Sequence, residues 1–231
     1  MINLSFFSEC ELCFAPTNLS GFLCQSCYDE LPKAAHSCLY CGEPLRQSKI
    51  CHRCLLKPPP TDYLYCNYLY RPPLSQWIKA FKDNHQLLHL PRLLWLMAEH
   101  PPTLEYIDAI TYIPSEGVKF LRRGFNPAEL MARALAKKYK LEVLRNALIK
   151  NTAQDQRLLR RAQRIKNSQE SIKPGRLNLT GQKILLIEDV VTTGATANAA
   201  ADALKAQGAD FVQVWALART PSHFKPKAAS E

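Results

Sequence analysis

The stretch that decides the fold is KILLIEDVVTTGAT, Lys183–Thr196. Its apolar run, Ile184–Ile187, is the length of a strand and too short for a helix of its own, and it reads as a strand over 183–189 buried on both faces. The run delivers two acids, Glu188 and Asp189, at its carboxyl end, and a loop of small hydroxyl residues and glycine follows at once. That loop opens an Ala-rich helix, 195–206, which Gly208 can terminate. Such a turn is a phosphate cup. The backbone N–H groups of 192–196 and the hydroxyls of Thr192, Thr193 and Thr196 can surround a phosphate monoester. Gly194 permits close backbone approach, Ala195 begins the helix, and the helix N-terminus adds positive potential. The two acids are badly placed for the phosphate and well placed for sugar hydroxyls one group further along. Neither GxxxxGK[ST] nor GxGxxG occurs in the chain.

Working outward, apolar patterning alternates between strand and helix periods. Strands are expected at 64–70, 107–114, 143–149 and 211–218, and helices at 74–83 and 91–99. The helix expected at 127–139 has the best-specified start: Asn126 caps it, Pro127 fits its first position and Glu129 suits a capping box. Phe125 and Leu130 are spaced for a hydrophobic staple. Alternation of this kind predicts an α/β fold with a parallel sheet flanked by helices, its ligand beyond the carboxyl ends of the strands. Trp77, Trp95 and Trp215 lie in apolar patterns and read as core.

Before this body comes a different sequence. Eight of the nine cysteines form four CxxC pairs: Cys10/Cys13, Cys24/Cys27, Cys38/Cys41 and Cys51/Cys54. Each CxxC turn aims two thiolates at one tetrahedral ion, and two such turns complete a structural zinc site. The simplest grouping is sequential, the first four cysteines in one site and the last four in another. A cross-braced grouping, first pair with third and second with fourth, stays open. Zinc closed by four sulfurs is structural, and its binding energy folds a segment too small to fold alone. Cys66, in an aromatic run, reads as an inert core residue. Pro58, Pro59 and Pro60 mark a stiff boundary. The expected division is a zinc module over 1–57, an α/β domain over 61–220 and a C-terminal tail over 221–231.

The 231 residues are 47% hydrophobic and 22% charged, values of a globular protein with a sizeable core. No apolar run reaches the length of a membrane span, so no integral membrane protein is expected. The N-terminal MINLSFFSECELC has no basic region followed by an apolar one, which argues against a signal peptide and for a cytoplasmic protein. The net charge is +10, and residues 119–173 alone carry 15 Lys and Arg against 4 Asp and Glu. A block of this kind is either a solvated face or a surface for a polyanion or phosphorylated ligand.

The Lys183–Thr196 segment resembles the 5-phosphoribosyl-1-diphosphate (PRPP) motif of type I phosphoribosyltransferases. The order of an N-terminal cysteine module, Arg122-Arg123-Gly124-Phe125-Asn126, a basic RAQRIKN segment (161–167) and this motif is similar to the ComF/GntX family. That family is tied to natural competence, the uptake of single-stranded DNA. The resemblance implies a type I phosphoribosyltransferase-like parallel sheet preceded by a module with two four-cysteine zinc sites. It also implies catalytic and ribose-binding roles for Glu188 and Asp189, and phosphate binding by Thr192, Thr193, Gly194, Ala195 and Thr196. PRPP would arrive with Mg2+. Lys119, Arg122, Arg123, Arg157, Arg160, Arg161, Arg164 and Lys166 become candidates for pyrophosphate or DNA contact. Position 188 is Glu where the motif most often has Asp, and Glu116 stands close to where pyrophosphate would bind. The function implied is handling of incoming single-stranded DNA in the cytoplasm on a PRPP-binding domain. The alternatives are an active Mg-dependent phosphoribosyltransferase with an unknown acceptor, and an adaptor docking a DNA-uptake helicase or channel protein, peripheral to the inner membrane through that partner.

Overall fold

The computed structural model describes residues 8–17, 22–83, 86–115, 120–121, 123–150 and 172–222. The strands are β1 (Ser8–Glu9), β2 (Pro16–Thr17), β3 (Tyr63–Leu69), β4 (Ala109–Tyr112), β5 (Glu142–Val143), β6 (Leu148–Lys150), β7 (Ile172–Pro174), β8 (Lys183–Val191) and β9 (Phe211–Arg219). The helices are α1 (Gln25–Asp29), α2 (His52–Leu56), α3 (Leu74–Asp83), α4 (His89–Glu99), α5 (Pro127–Tyr139) and α6 (Ala195–Lys205).

The body is a five-stranded sheet in the order β3-β9-β8-β4-β5, parallel throughout. Period-two alternation along its central strands sorts side chains into two cores. Leu185, Ile187, Trp215 and Leu217 face α3, α4 and α5, packing with Ile78, Phe81, Leu93, Met131 and Leu135. Ile184, Leu186, Val212, Val214 and Ala216 face the other way, onto Ala197, Ala200, Ala201 and Leu204 of α6. The near-continuous apolar runs of β8 and β9 are thus what a strand covered on both faces requires. One polar group inside the first core is fully partnered. Trp215 Nε1 donates to Asn67 Oδ1 at 2.7 Å, and Asn67 Nδ2 donates to the His100 carbonyl at 2.7 Å.

Helix α5 starts as its sequence predicts: Asn126 Oδ1 accepts from the Ala128 N–H at 3.1 Å, with Pro127 in the first helical position. Asn126 Nδ2 also donates to the Ile113 carbonyl at 2.9 Å, so the cap fixes the helix onto the loop after β4. The single strand expected over 143–149 is instead two. Glu142–Val143 joins the main sheet, an exposed turn at Arg145-Asn146 carries the chain off it, and Leu148–Lys150 pairs antiparallel with β7. Apolar patterning runs through both pieces, but the parallel register with β4 ends at Val143. Trp77 and Trp215 are buried as expected; Trp95 is only half-buried, its ring tilted 5.4 Å from that of Tyr28.

The cysteine-rich segment is bonded to the body along its length. Residues 32–39 run beside β3, with Leu69 N–H donating to Pro32 O, Ala34 N–H to Asn67 O and Leu64 N–H to Leu39 O. They cover the edge of the sheet that β3 would otherwise expose. Buried Arg92 of α4 pairs with Glu11 between Cys10 and Cys13, its guanidinium 4.6 Å from the Trp77 ring centroid. Gly42, just past Cys41, has φ +66° and lies against Leu64, Cys66 and Arg219. A Cβ there would stand 2.7 Å from Leu64 Cδ2. Gly42→Ala combines left-handed backbone with overpacking, so it should lower stability by about 1–3 kcal/mol, read as a fall in the thermal midpoint with helix content otherwise native.

Candidate functional site: a phosphate loop between two cavities

β8 carries Glu188 and Asp189 in its last four residues, toward the carboxyl edge of the sheet, and α6 begins four residues beyond its end. Gly194, the N-cap of α6, has φ +80° with open space where a Cβ would be, so the turn uses glycine for its backbone conformation. Thr193 Oγ1 accepts from the Ala195 N–H at 3.2 Å and the Asn198 N–H donates to Gly194 O at 2.9 Å, closing the first turn.

A cavity of about 200 Å³ lies beside this turn. Glu188, Asp189 and Thr196 line it, together with Lys82, Arg123 and Lys150. Asp189 is held twice: Oδ2 is 2.6 Å from Lys82 Nζ, and Oδ1 accepts from the Val190 N–H at 2.7 Å. Glu188 is buried, and its Oε2 has no hydrogen-bond partner. Burial first and the neighbouring Asp189 second push its carboxyl up to about 8, against the pull of Lys82, Lys150 and Arg219. At neutral pH Glu188 is therefore a neutral acid able to donate, beside an Asp189 whose oxygens are ion-paired with Lys82 and bonded to the Val190 N–H. The lining then carries a net positive charge, suited to a polyanionic ligand with a hydroxylated centre.

The structure gathers Glu188, Asp189, Thr196 and Arg123 of the expected residues into this one cavity. Thr192, Thr193, Gly194 and Ala195 form the turn, and the last three also line a second cleft of about 520 Å³ on the side of the cysteine-rich segment. Lys119, Arg122, Arg157, Arg160, Arg161, Arg164 and Lys166, like Glu116, lie outside the described residues. Sequence reasoning missed Lys82 and Lys150. Lys82 is the penultimate residue of an amphipathic helix 107 positions before Asp189, and no local spacing relates the two.

The reading also missed Arg219, at the end of β9, which is 1% exposed. Its guanidinium donates to Cys41 O at 3.0 Å and Val191 O at 3.3 Å, to Thr192 O and Thr220 O, and to Glu43 Oε2 at 2.9 Å. Glu43 Oε1 accepts in turn from the N–H and Oγ of Ser222 at 2.8 and 2.7 Å. One buried cation thus joins a CxxC turn to the first residues of the phosphate loop.

The eight CxxC sulfurs form two groups, Cys10, Cys13, Cys24 and Cys27, and Cys38, Cys41, Cys51 and Cys54, each with all sulfurs within 4.8 Å of one another. The grouping is sequential, and the cross-braced alternative is ruled out. Cys13–Cys24 and Cys41–Cys51 sulfur separations are 3.6 and 3.7 Å, against about 3.8 Å along the edge of a zinc tetrathiolate. The Cys51 N–H donates to Cys38 Sγ at 3.3 Å. Burial opposes ionisation of Cys10 and Cys38, but surrounding backbone N–H groups outweigh it and bring their thiols down to about 6 and 7. Cys27 is pushed up, chiefly by Cys13, and Cys54 by burial and then Cys51, the mutual repulsion that a dication relieves. The donor set fits structural zinc at both sites with no histidine needed.

Two measurements check these assignments. Purified protein should contain two zinc ions per chain by elemental mass spectrometry, and Cys54→Ser should reduce this to about one with a lowered thermal midpoint. Between pH 4.5 and 8 the folded chain keeps a proton on Glu188 that the unfolded chain has lost, so this group's contribution to stability falls as pH rises through that window. Glu188→Gln removes the loss: its melting temperature should match the wild type near pH 4.5 and exceed it at pH 8.5.

Comparison with known proteins finds two family models in the chain. Residues 1–55 match the double zinc ribbon domain and residues 120–230 the phosphoribosyl transferase domain. DNA utilization protein YhgH of Salmonella typhimurium is 32% identical over 223 residues, 91% of this chain and 96% of that protein. YhgH of Escherichia coli K12 is 32% identical over 220 residues with the same coverage. Competence protein F of Haemophilus influenzae is 31% identical over 208 residues, 85% of this chain and 90% of that one. The two-part architecture is thus that of whole relatives, and the chain belongs to the family of YhgH and competence protein F, the ComF/GntX family.

Proposed function

We propose that the protein acts in natural competence, handling incoming single-stranded DNA in the cytoplasm, and that its phosphoribosyltransferase-like domain binds PRPP or a related sugar phosphate with Mg2+. The observation that carries the reading is the cavity in which Asp189 and Glu188 meet Lys82, Arg123, Lys150 and Thr196 beside the Gly194 turn. An acceptor carboxylate and a neutral acid suit ribose hydroxyls, the 192–196 turn suits the 5′-phosphate, and the three cations suit a diphosphate. The names carried by its relatives, DNA utilization protein and competence protein, support the setting. In this reading residues 1–57 are the zinc module, 61–220 the phosphoribosyl-binding domain and 221–231 a tail, with the basic block 119–173 serving the nucleic acid.

A second reading, Mg-dependent phosphoribosyl transfer, draws support from one further feature. A polar cavity of about 230 Å³, lined by Tyr112, Glu129, Arg145 and Asn146, shares Pro114, Ser115 and Asn126 with the first cavity. An acceptor held there would reach the ribose.

Fluorescence anisotropy of a labelled 20-nucleotide single strand, with PRPP–Mg2+ as competitor, tests both. The expected result is salt-sensitive DNA binding that PRPP–Mg2+ displaces. Asp189→Asn should abolish the displacement by PRPP–Mg2+. Absence of DNA binding at 100 mM salt would overturn the first reading, and release of pyrophosphate from PRPP would establish the second.

A further inference from the structure

The phosphate turn opens on two sides. Thr196 faces the cavity of Glu188 and Asp189, whereas Thr193, Gly194 and Ala195 line the larger cleft against the second ribbon. A sugar with a terminal phosphate monoester needs only the first cavity. A phosphate reached from both sides is suited to a diester, with a nucleoside on each side of it.

We infer that the cleft between the 192–196 turn and the second ribbon is a nucleotide subsite for single-stranded DNA. A backbone phosphodiester seats in the turn, the nucleoside 3′ to it occupies the acidic cavity, and the nucleoside 5′ to it occupies the cleft. This rests on the reading of the turn as a phosphate site.

The walls of the cleft have the chemistry that such a nucleoside needs. Tyr40 and Pro58–Pro60 supply an aromatic and a flat apolar surface for a base. Among the described residues, no aspartate or glutamate lines the cleft. Two cations line it: Arg53 stands next to the second cysteine cluster and offsets its charge, and Lys57 is left to meet the next phosphate along the strand. Asn198 is fixed by Thr61, whose Oγ1 donates to Asn198 Oδ1 at 3.3 Å, which ties the first turns of α6 to the residues after the triple proline. The volume, about 520 Å³, is that of a mononucleotide site. The linings of the cleft and of the acidic cavity meet at consecutive residues of the turn, Ala195 and Thr196, so one phosphate at the turn is next to both.

Isothermal titration of the zinc-loaded full chain with deoxythymidine 5′-monophosphate and with the trinucleotide d(TpTpT) tests the inference. The trinucleotide should bind about fivefold or more tightly, the worth of one stacked base, although its internal phosphates carry less charge each than the monoester. Tyr40→Ala and Lys57→Glu should each remove most of this advantage and leave the monophosphate affinity unchanged. Because Tyr40 packs against Cys38, Cys41 and Cys54, zinc content is measured on both variants, and Lys57→Glu, fully at the surface, decides if Tyr40→Ala loses metal. Equal affinity of the two ligands for the wild type, or parallel losses for both ligands in Lys57→Glu, would overturn the cleft while leaving the turn as a phosphate site. Failure of the wild type to bind either ligand would overturn the phosphate turn and the cleft together.

Discussion

The buried guanidinium of Arg219 is the constraint on which the arrangement rests. Arginine brings its N–H donors in a fixed plane, and here they meet four backbone carbonyls and one carboxylate drawn from three separate segments, three of the carbonyls sharing the two hydrogens of Nη1. A cation 1% exposed is tolerable only when paired, and Glu43 supplies the compensating charge. The carbonyls of Val191 and Thr192 are thereby fixed where β8 becomes the phosphate turn, and the Cys41 carbonyl is fixed within the second ribbon. The first ribbon repeats the device with Arg92 and Glu11. Each ribbon therefore carries its own glutamate, within or just after a CxxC turn, as the counterion of an arginine in the α/β body.

Charge in the acidic cavity is organised by similar means. Asp189 spends one oxygen on Lys82 and the other on its neighbour's N–H, whereas Glu188, one residue away, has an oxygen with no partner. Burial and the adjacent Asp189 push the Glu188 carboxyl up, and Asp189 is the one paired with a cation, Lys82. Glutamate rather than aspartate at position 188 thus leaves a second acid in the site without a second negative charge at neutral pH.

Much of this was legible in the sequence because it is local. The β8 run, the Thr-Thr-Gly turn, the Asn126-Pro127 cap and the four CxxC pairs each declare themselves within a dozen residues. What was illegible is what joins distant segments. Glu43 and Arg219 stand 176 positions apart, and Arg219 reads in sequence merely as the polar end of a strand. Lys82 carries no mark that separates it from Lys79 on the same helix. The ribbon grouping was ambiguous because spacing permits both connectivities; in the fold the Leu39 N–H bonds the Lys49 carbonyl and the Cys51 N–H bonds Cys38 Sγ, which brings the last two CxxC turns together. The break between β5 and β6 was missed because apolar periodicity does not tell which partner a strand keeps.

The strand order also sets a timetable. β3, the first strand of the sheet to be made, has β9, the last, as its one sheet neighbour. At ribosomal speeds of roughly 5–20 residues per second, Tyr63–Leu69 waits on the order of ten seconds for that neighbour to be synthesised. During the wait the residues bonded to β3 are 32–39, which have already been made, and the cysteines on either side of them can capture their metal ions in that interval. Residues 32–39 thus cover one edge of β3 while the other waits for β9, and Arg219, at the end of β9, then ties the second ribbon to the body.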